Sequence, residues 1–173
     1  MNVFLKSFLS LLLSSVSLTV FGQKDSILPA YQRYPTLPPF QLFLADSSKY
    51  TKENVPKKRA VLLILFSPDC EHCQHETEQM VLKKDSLKNI FIVMATTLPI
   101  FKMKAFAEKY RLNEMTNVVV ARDAYYFLPA FFEIHNLPYM ALYGKKGKLL
   151  KKNFFIKLLP LPTQKHHKLP SSV

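Results

Sequence analysis

Ala60-Val61-Leu62-Leu63-Ile64-Leu65-Phe66-Ser67-Pro68-Asp69-Cys70-Glu71-His72-Cys73 joins an unbroken apolar run to a short turn and then to the only two cysteines of the chain. An apolar run of that length, closed by Ser-Pro-Asp, predicts a strand buried on both faces. The residues after the turn predict a helix, so Cys70 stands at its N-terminus. Unpaired backbone N–H groups and the positive end of the macrodipole favour negative charge on a sulfur placed there. Cys73 comes about one helical turn later, within reach of a disulfide. This is a geometry for reversible dithiol chemistry.

Outward from that junction, helical periodicity runs over 71–87. Cys73, Thr77, Met80, Val81 and Leu87 recur at intervals of three and four and share one face. That face turns Cys73 inward and leaves Cys70 near the surface, with Glu71, Gln74, Glu78 and Lys83 on the wet side. Acids at the start (Asp69, Glu71, Glu76) and lysines later (Lys83, Lys84, Lys88) match the helix dipole. Residues 90–94 predict a second strand. Thr97 before Pro99 opens a helix through Ile100, Met103, Phe106 and Tyr110 that ends near Arg111. Residues 118–120 predict a third strand, and 124–134 a short aromatic helix interrupted or begun at Pro129. Residues 139–143 and 149–155 read as a hairpin joined at Gly144-Lys145-Lys146-Gly147. Upstream, 40–44 suggests a short strand. The βαβ alternation followed by a hairpin predicts an α/β fold with a mixed central sheet flanked by helices.

At 173 residues there is room for one ordinary domain. Lys6, the apolar stretch 8–20 and Val20-Phe21-Gly22 read as an export signal over 1–22, cut after Gly22. The apolar stretch is short of the about 20 residues a membrane span needs, and an uncleaved anchor is the other reading. No cysteine follows it to carry a lipid. Residues 23–37, with Pro29 and Pro35, read as an extended N-terminal arm, 38–157 as the domain and 158–173 as a flexible basic tail. Localisation is thus expected to be periplasmic or extracellular, an oxidising setting where a cysteine pair also serves as a staple. The formal charge of +12 comes without a nucleic-acid motif, which points to a solvated basic exterior rather than to nucleic acid. Lys145, Lys146, Lys148, Lys151, Lys152, Lys157, Lys165 and Lys168 face no acid after Glu133, which suggests peripheral contact of this basic C-terminal third with lipid headgroups.

The C-x-x-C spacing also occurs in zinc sites and structural disulfides. There is no second C-x-x-C. His72 and His75 are the only nearby additions, and Cys70 and His72 lie on different helix faces, which disfavours one tetrahedral ion. Cu(I) needs fewer ligands. Three readings therefore stand: a redox enzyme, a copper-binding carrier, and a non-catalytic binding module with a structural disulfide.

The stretch 63–73, with Leu137-Pro138 downstream, the terminal hairpin and the leading Pro39-Phe40-Gln41-Leu42, resembles the thioredoxin-like superfamily over roughly 38–155. Within it the exported TlpA/ResA-like thiol–disulfide oxidoreductases are the most similar branch. The resemblance implies a thioredoxin-like fold in which Cys70 attacks a target disulfide and Cys73 resolves the intermediate. It makes Pro138 a cis-proline facing the pair and leaves the backbone of Leu137 open to an extended substrate. His72 and Glu71, between the cysteines, would tune the thiolate in opposite senses. Implied partners are protein thiols and disulfides and a membrane or periplasmic electron donor; no cofactor, metal or nucleic acid is implied. Two features depart from the pattern. The chain has no tryptophan, and Ile64 stands where many thioredoxins bury an acid. A peroxiredoxin pattern fails at Leu63, where its proline should stand.

Overall fold

The computed structural model describes residues 28–156. The predicted signal and basic tail therefore lie outside the described residues. A seven-stranded mixed sheet forms the frame, its strands lying side by side in the order 49–51, 41–43, 118–122, 90–96, 60–65, 139–143 and 149–152. The elements are α1 (Ala30–Arg33), β1 (Gln41–Phe43), β2 (Lys49–Thr51), β3 (Ala60–Leu65), α2 (Glu71–Leu82) and α3 (Lys84–Leu87). They continue with β4 (Ile90–Thr96), α4 (Ile100–Lys109), β5 (Val118–Arg122), α5 (Phe127–Phe132), β6 (Tyr139–Tyr143) and β7 (Leu149–Lys152). Short 3₁₀ turns occupy Lys52–Asn54 and Leu112–Glu114.

The apolar run becomes the central strand because both of its faces are covered. β3 pairs in parallel with β4 and antiparallel with β6, and β4 pairs in parallel with β5. Val61, Leu63 and Leu65 point into one cluster with Tyr31, Leu128, Phe131 and Phe132. Leu62, Ile64 and Phe66 point into the other, with Cys73, Met80, Leu87 and Phe106. Strict alternation along one strand thus feeds two cores, which is why the sequence shows no polar face there.

The hairpin forms where its glycines stand. Gly147 has φ +75°, a conformation that costs other residues, and Gly147 N donates to Gly144 O at 2.8 Å. β7 is shorter than expected, ending at Lys152. The structure differs from the sequence reading at four other places. The helix expected over 71–87 is broken at Lys83, whose backbone (φ −100°, ψ 15°) leaves helical geometry and whose N–H is shared between Gln79 O and Met80 O. Pro99 sits just before α4 as its cap rather than in its first turn. The described part of the arm, 28–37, is docked and opens with the short helix α1: Tyr31 and Leu37 are buried, Thr36 bridges to Lys148, and Leu149 N donates to Pro35 O at 2.8 Å. An extra edge strand, β2, pairs with β1.

Candidate active site

β3, β4 and β5 all run toward one end of the sheet, and Cys70 lies there, just beyond β3. Open α/β sheets place their chemistry at such carboxyl ends. Cys70 is itself the N-cap residue of α2, held by Cys70 N donating to Ser67 O at 3.1 Å and Gln74 N donating to Cys70 O at 3.0 Å. Gln74 Nε2 donates to Pro68 O at 2.9 Å, and Lys102 from α4 pairs with Asp69. These contacts fix the turn that presents the thiol. Cys70 is half-buried, whereas Cys73, one turn on, is buried in the core beneath it.

The two thiols meet different surroundings. Cys70 Sγ lies 3.8 Å from Leu137 O, and the Leu137-Pro138 bond is cis. Ser67 N donates to Cys73 Sγ at 3.5 Å. Burial pushes the Cys73 thiol up to about 12; the Ser67 N–H pulls it down in part, and Cys70 adds to the rise through hydrogen bonding and charge. The buried sulfur is thus a thiol that needs a base before it can act as a nucleophile.

A carboxylate stands close to it. Glu76, only 7 % exposed, lines the same closed space as Cys73, Ile64, Phe66, Pro138 and Met140. Its Oε2 accepts from Ile156 N at 2.7 Å, so the segment after β7 closes over this helix. By sequence, Glu76 reads as one of the acids that compensate the helix dipole. A signal for its burial is nevertheless present: Glu76 comes three residues after Cys73 and flanks Thr77 on the inward face. A buried acid is thus contributed by α2, whereas Ile64 in β3 is apolar.

Leu137 and Pro138, which the resemblance sets against the pair, lie in the turn before β6; the Leu137 carbonyl meets Cys70 there, and Leu137 is 38 % exposed. Glu71 and His72 are both exposed on the first turn of α2, and neither hydrogen-bonds a thiol among the described residues. No group of three or more His, Cys, Asp or Glu side chains converges to hold a metal among the described residues. Lys52, Lys57, Lys58, Arg59 and Lys145 rim a cleft at the opposite end of the sheet, where Val61 pairs with Tyr143.

No family model matches the chain, and no curated protein matches it by sequence. Solved structures do match by shape. A thiol-disulfide oxidoreductase from Bacteroides fragilis superposes with TM-score 0.59 at 16% identity, over 69% of this chain and 90% of that one. A secreted Mycobacterium tuberculosis disulfide oxidoreductase, described as homologous to E. coli DsbE, superposes with TM-score 0.56 at 18% identity, over 65% and 81%. The fold is thioredoxin-like. A peroxiredoxin-like protein from Aquifex aeolicus shares it, with TM-score 0.56 at 17% identity over 69% and 74%. At these identities the likeness establishes the thioredoxin-like fold, and the chemistry rests on this chain's own residues. No helix among the described residues is long and apolar enough to cross a membrane.

Proposed function

We propose that the protein is an exported thiol–disulfide oxidoreductase that exchanges disulfides with polypeptides through Cys70 and Cys73. The observation that carries this reading is the asymmetry of the pair. One sulfur is accessible at a helix N-terminus beside the Leu137 carbonyl, and the other is buried one turn deeper. In the reducing direction the Cys70 thiolate attacks one sulfur of a target disulfide. A Cys70–target S–S bond forms and the target's other sulfur leaves as a thiolate. Cys73 then gives up its proton, attacks Cys70 Sγ, and forms the Cys70–Cys73 disulfide while the target leaves with both sulfurs reduced. The pair is oxidised by two electrons, and an external dithiol donor must reduce it again. Run backward, the same steps oxidise a target dithiol.

Glu76 supports the second step. A buried thiol pushed to about 12 does not ionise at neutral pH without help, and the Glu76 carboxyl group lines the same closed space. Export rests on the residues read as a signal and on the neighbours' descriptions, one of which calls its protein secreted. The basic rim around Lys57 and Lys145 lies at the far end of the sheet, so contact of that rim with lipid headgroups would leave Cys70 free to meet its targets.

Cys73→Ser tests the reading, because it removes the resolving sulfur and leaves the attacking one. Covalent, reductant-sensitive complexes with polypeptides should accumulate in Cys73→Ser and be absent from Cys70→Ser. No complexes in either variant, together with a Cys70–Cys73 reduction potential below about −300 mV, would mark the pair as a structural staple.

A further inference from the structure

At the end of the sheet far from Cys70, a cleft of about 320 Å³ opens between two turns. Residues 52–59, ahead of β3, form one wall, and the turn 144–147 between β6 and β7 forms the other. They face each other because Val61, near the start of β3, pairs with Tyr143 at the end of β6. Leu37, Val55, Val61 and Tyr143 give the cleft an apolar floor. Lys52, Lys57, Lys58, Arg59 and Lys145 stand around it against one acid, Glu53. Lys57, Lys58 and Lys145 are exposed, and none of the three pairs with a carboxylate among the described residues. Arg59 is held in place, its Nη2 donating to Lys88 O at 2.7 Å and its guanidinium 5.8 Å from the Phe91 ring centroid. Lys146 and Lys148, both exposed, carry the charge along the hairpin. Leu150, 64 % exposed, sits against Gly144 and adds an apolar side chain to the same edge.

Cations gathered without counter-charges repel one another, and an anionic surface relieves them. Position narrows the choice of surface. A target polypeptide must reach Cys70, whereas the 6 residues of β3, rising about 3.3 Å each, put about 16 Å between that end of the sheet and the cleft. The occupant is therefore something that holds the protein without meeting its thiol. An apolar floor inside a cationic rim matches the layering of a bilayer face, with anionic phosphates outermost and acyl carbons beneath. The charge of an acidic polypeptide would satisfy the rim alone and leave the floor and Leu150 uncovered. We propose that this cleft docks the protein on a bilayer rich in anionic phospholipid, with Cys70 turned away from the membrane. The contact draws on 52–59 as much as on the basic C-terminal third that the sequence singles out. It goes beyond disulfide exchange and stands whether or not Cys70 reacts with polypeptides.

The test uses the full chain with vesicles of phosphatidylglycerol and phosphatidylcholine in equal parts, and with phosphatidylcholine alone as the reference. Brief acetylation followed by peptide mass mapping reads which lysines a vesicle covers. On the anionic vesicles Lys57, Lys58 and Lys145 should acetylate about fivefold more slowly than in solution. Lys102, paired with Asp69 beside Cys70, and Lys104 should keep their rates, and so should alkylation of Cys70. Partition onto anionic vesicles, measured by flotation against the reference, should fall about thirtyfold in Lys57→Gln/Lys145→Gln, which removes one charge from each turn. Lys104→Gln/Lys109→Gln removes two exposed charges from α4 and should change it by at most about threefold. Equal loss in the two variants, no preference for anionic lipid, or protection centred on Lys102 and Lys104 overturns the dock. If inorganic phosphate protects Lys57, Lys58 and Lys145 as well as the vesicles do, the cleft takes free anions. If polyglutamate protects them and the vesicles do not, it takes acidic polypeptide. Either result overturns the bilayer assignment. The footprint is read on the wild type, so it decides the matter even where a variant fails to fold.

Discussion

Cys70 Sγ lies 3.8 Å from the carbonyl oxygen of Leu137, although 67 residues separate the two in the chain. The sheet creates this meeting. Leu65 at the end of β3 pairs with Tyr139 at the start of β6, so the turn leaving β3 and the turn entering β6 share one end of the sheet. The result is a thiol set against an exposed backbone acceptor, with its partner sulfur buried behind it.

That arrangement predicts an order of labelling. With the pair reduced, iodoacetamide should modify Cys70 much faster than Cys73 at neutral pH, because Cys73 is both 1 % exposed and pushed up to about 12. Peptide mapping by mass spectrometry after timed quenching reads the order. Equal, slow labelling of both thiols would count against a division into attacking and resolving sulfurs.

Much of this fold is legible in the sequence because it depends on long apolar stretches. β3, β4, β5 and β6 are runs that bury side chains on one or both faces, and the Gly144–Gly147 turn announces its hairpin. The elements that escape the sequence have little periodic signal. β2 contains three residues, of which only Tyr50 is buried, so no alternation can establish itself. The break at Lys83 carries neither Gly nor Pro, and Leu82 before it is 77 % exposed. At the site, the cysteines and Leu137-Pro138 are legible from spacing and resemblance. The burial of Glu76 is only weakly legible: its place three residues after Cys73 points inward, but an acid in the first turns of a helix reads equally well as dipole compensation.

Asp123 anchors the approach to the site from another direction. It is fully buried, and its two carboxyl oxygens accept from Phe127 N at 3.1 Å and Leu128 N at 2.8 Å, capping α5 after β5 ends. Asp123→Ala strands two backbone donors and should cost about 2–4 kcal/mol of stability. Asp123→Asn keeps one acceptor and should cost about half as much. Urea denaturation with an unchanged m-value reads both. A cost below the spread of surface substitutions for Asp123→Ala would mean that the cap contributes nothing.

Alkaline pH should destabilise the fold through burial. Burial raises Cys73 from its ordinary 9.0 to about 12 and Tyr50 from 10.0 to about 12, and raises Tyr139 and Tyr143 as well. Each group holds its proton more tightly folded than unfolded. The unfolded chain therefore releases protons first as pH rises, and stability must fall. The contribution is complete below about pH 9 and is lost progressively toward pH 12. Denaturation midpoints at stepwise pH should decline over that window, with phenolate absorbance of the buried tyrosines appearing together with unfolding. A flat profile across it would contradict the burial of these groups.

Glu76 offers the sharpest separation of chemistry from packing. Glu76→Gln keeps an oxygen for Ile156 N, so that contact survives, but the amide cannot take the Cys73 proton. If the carboxylate serves as base, the first step at Cys70 should proceed while the resolving step slows about a hundredfold. In a single turnover the Cys70 mixed disulfide would then build up and decay slowly, faster as pH rises and hydroxide takes over as base. If Glu76 only ties the segment after β7 to α2, resolution in Glu76→Gln keeps the wild-type rate and pH profile, and only stability changes. Quenched-flow trapping of the mixed disulfide across neutral to alkaline pH distinguishes the two, because a structural tie has no means of altering the pH dependence of a single sulfur-to-sulfur transfer.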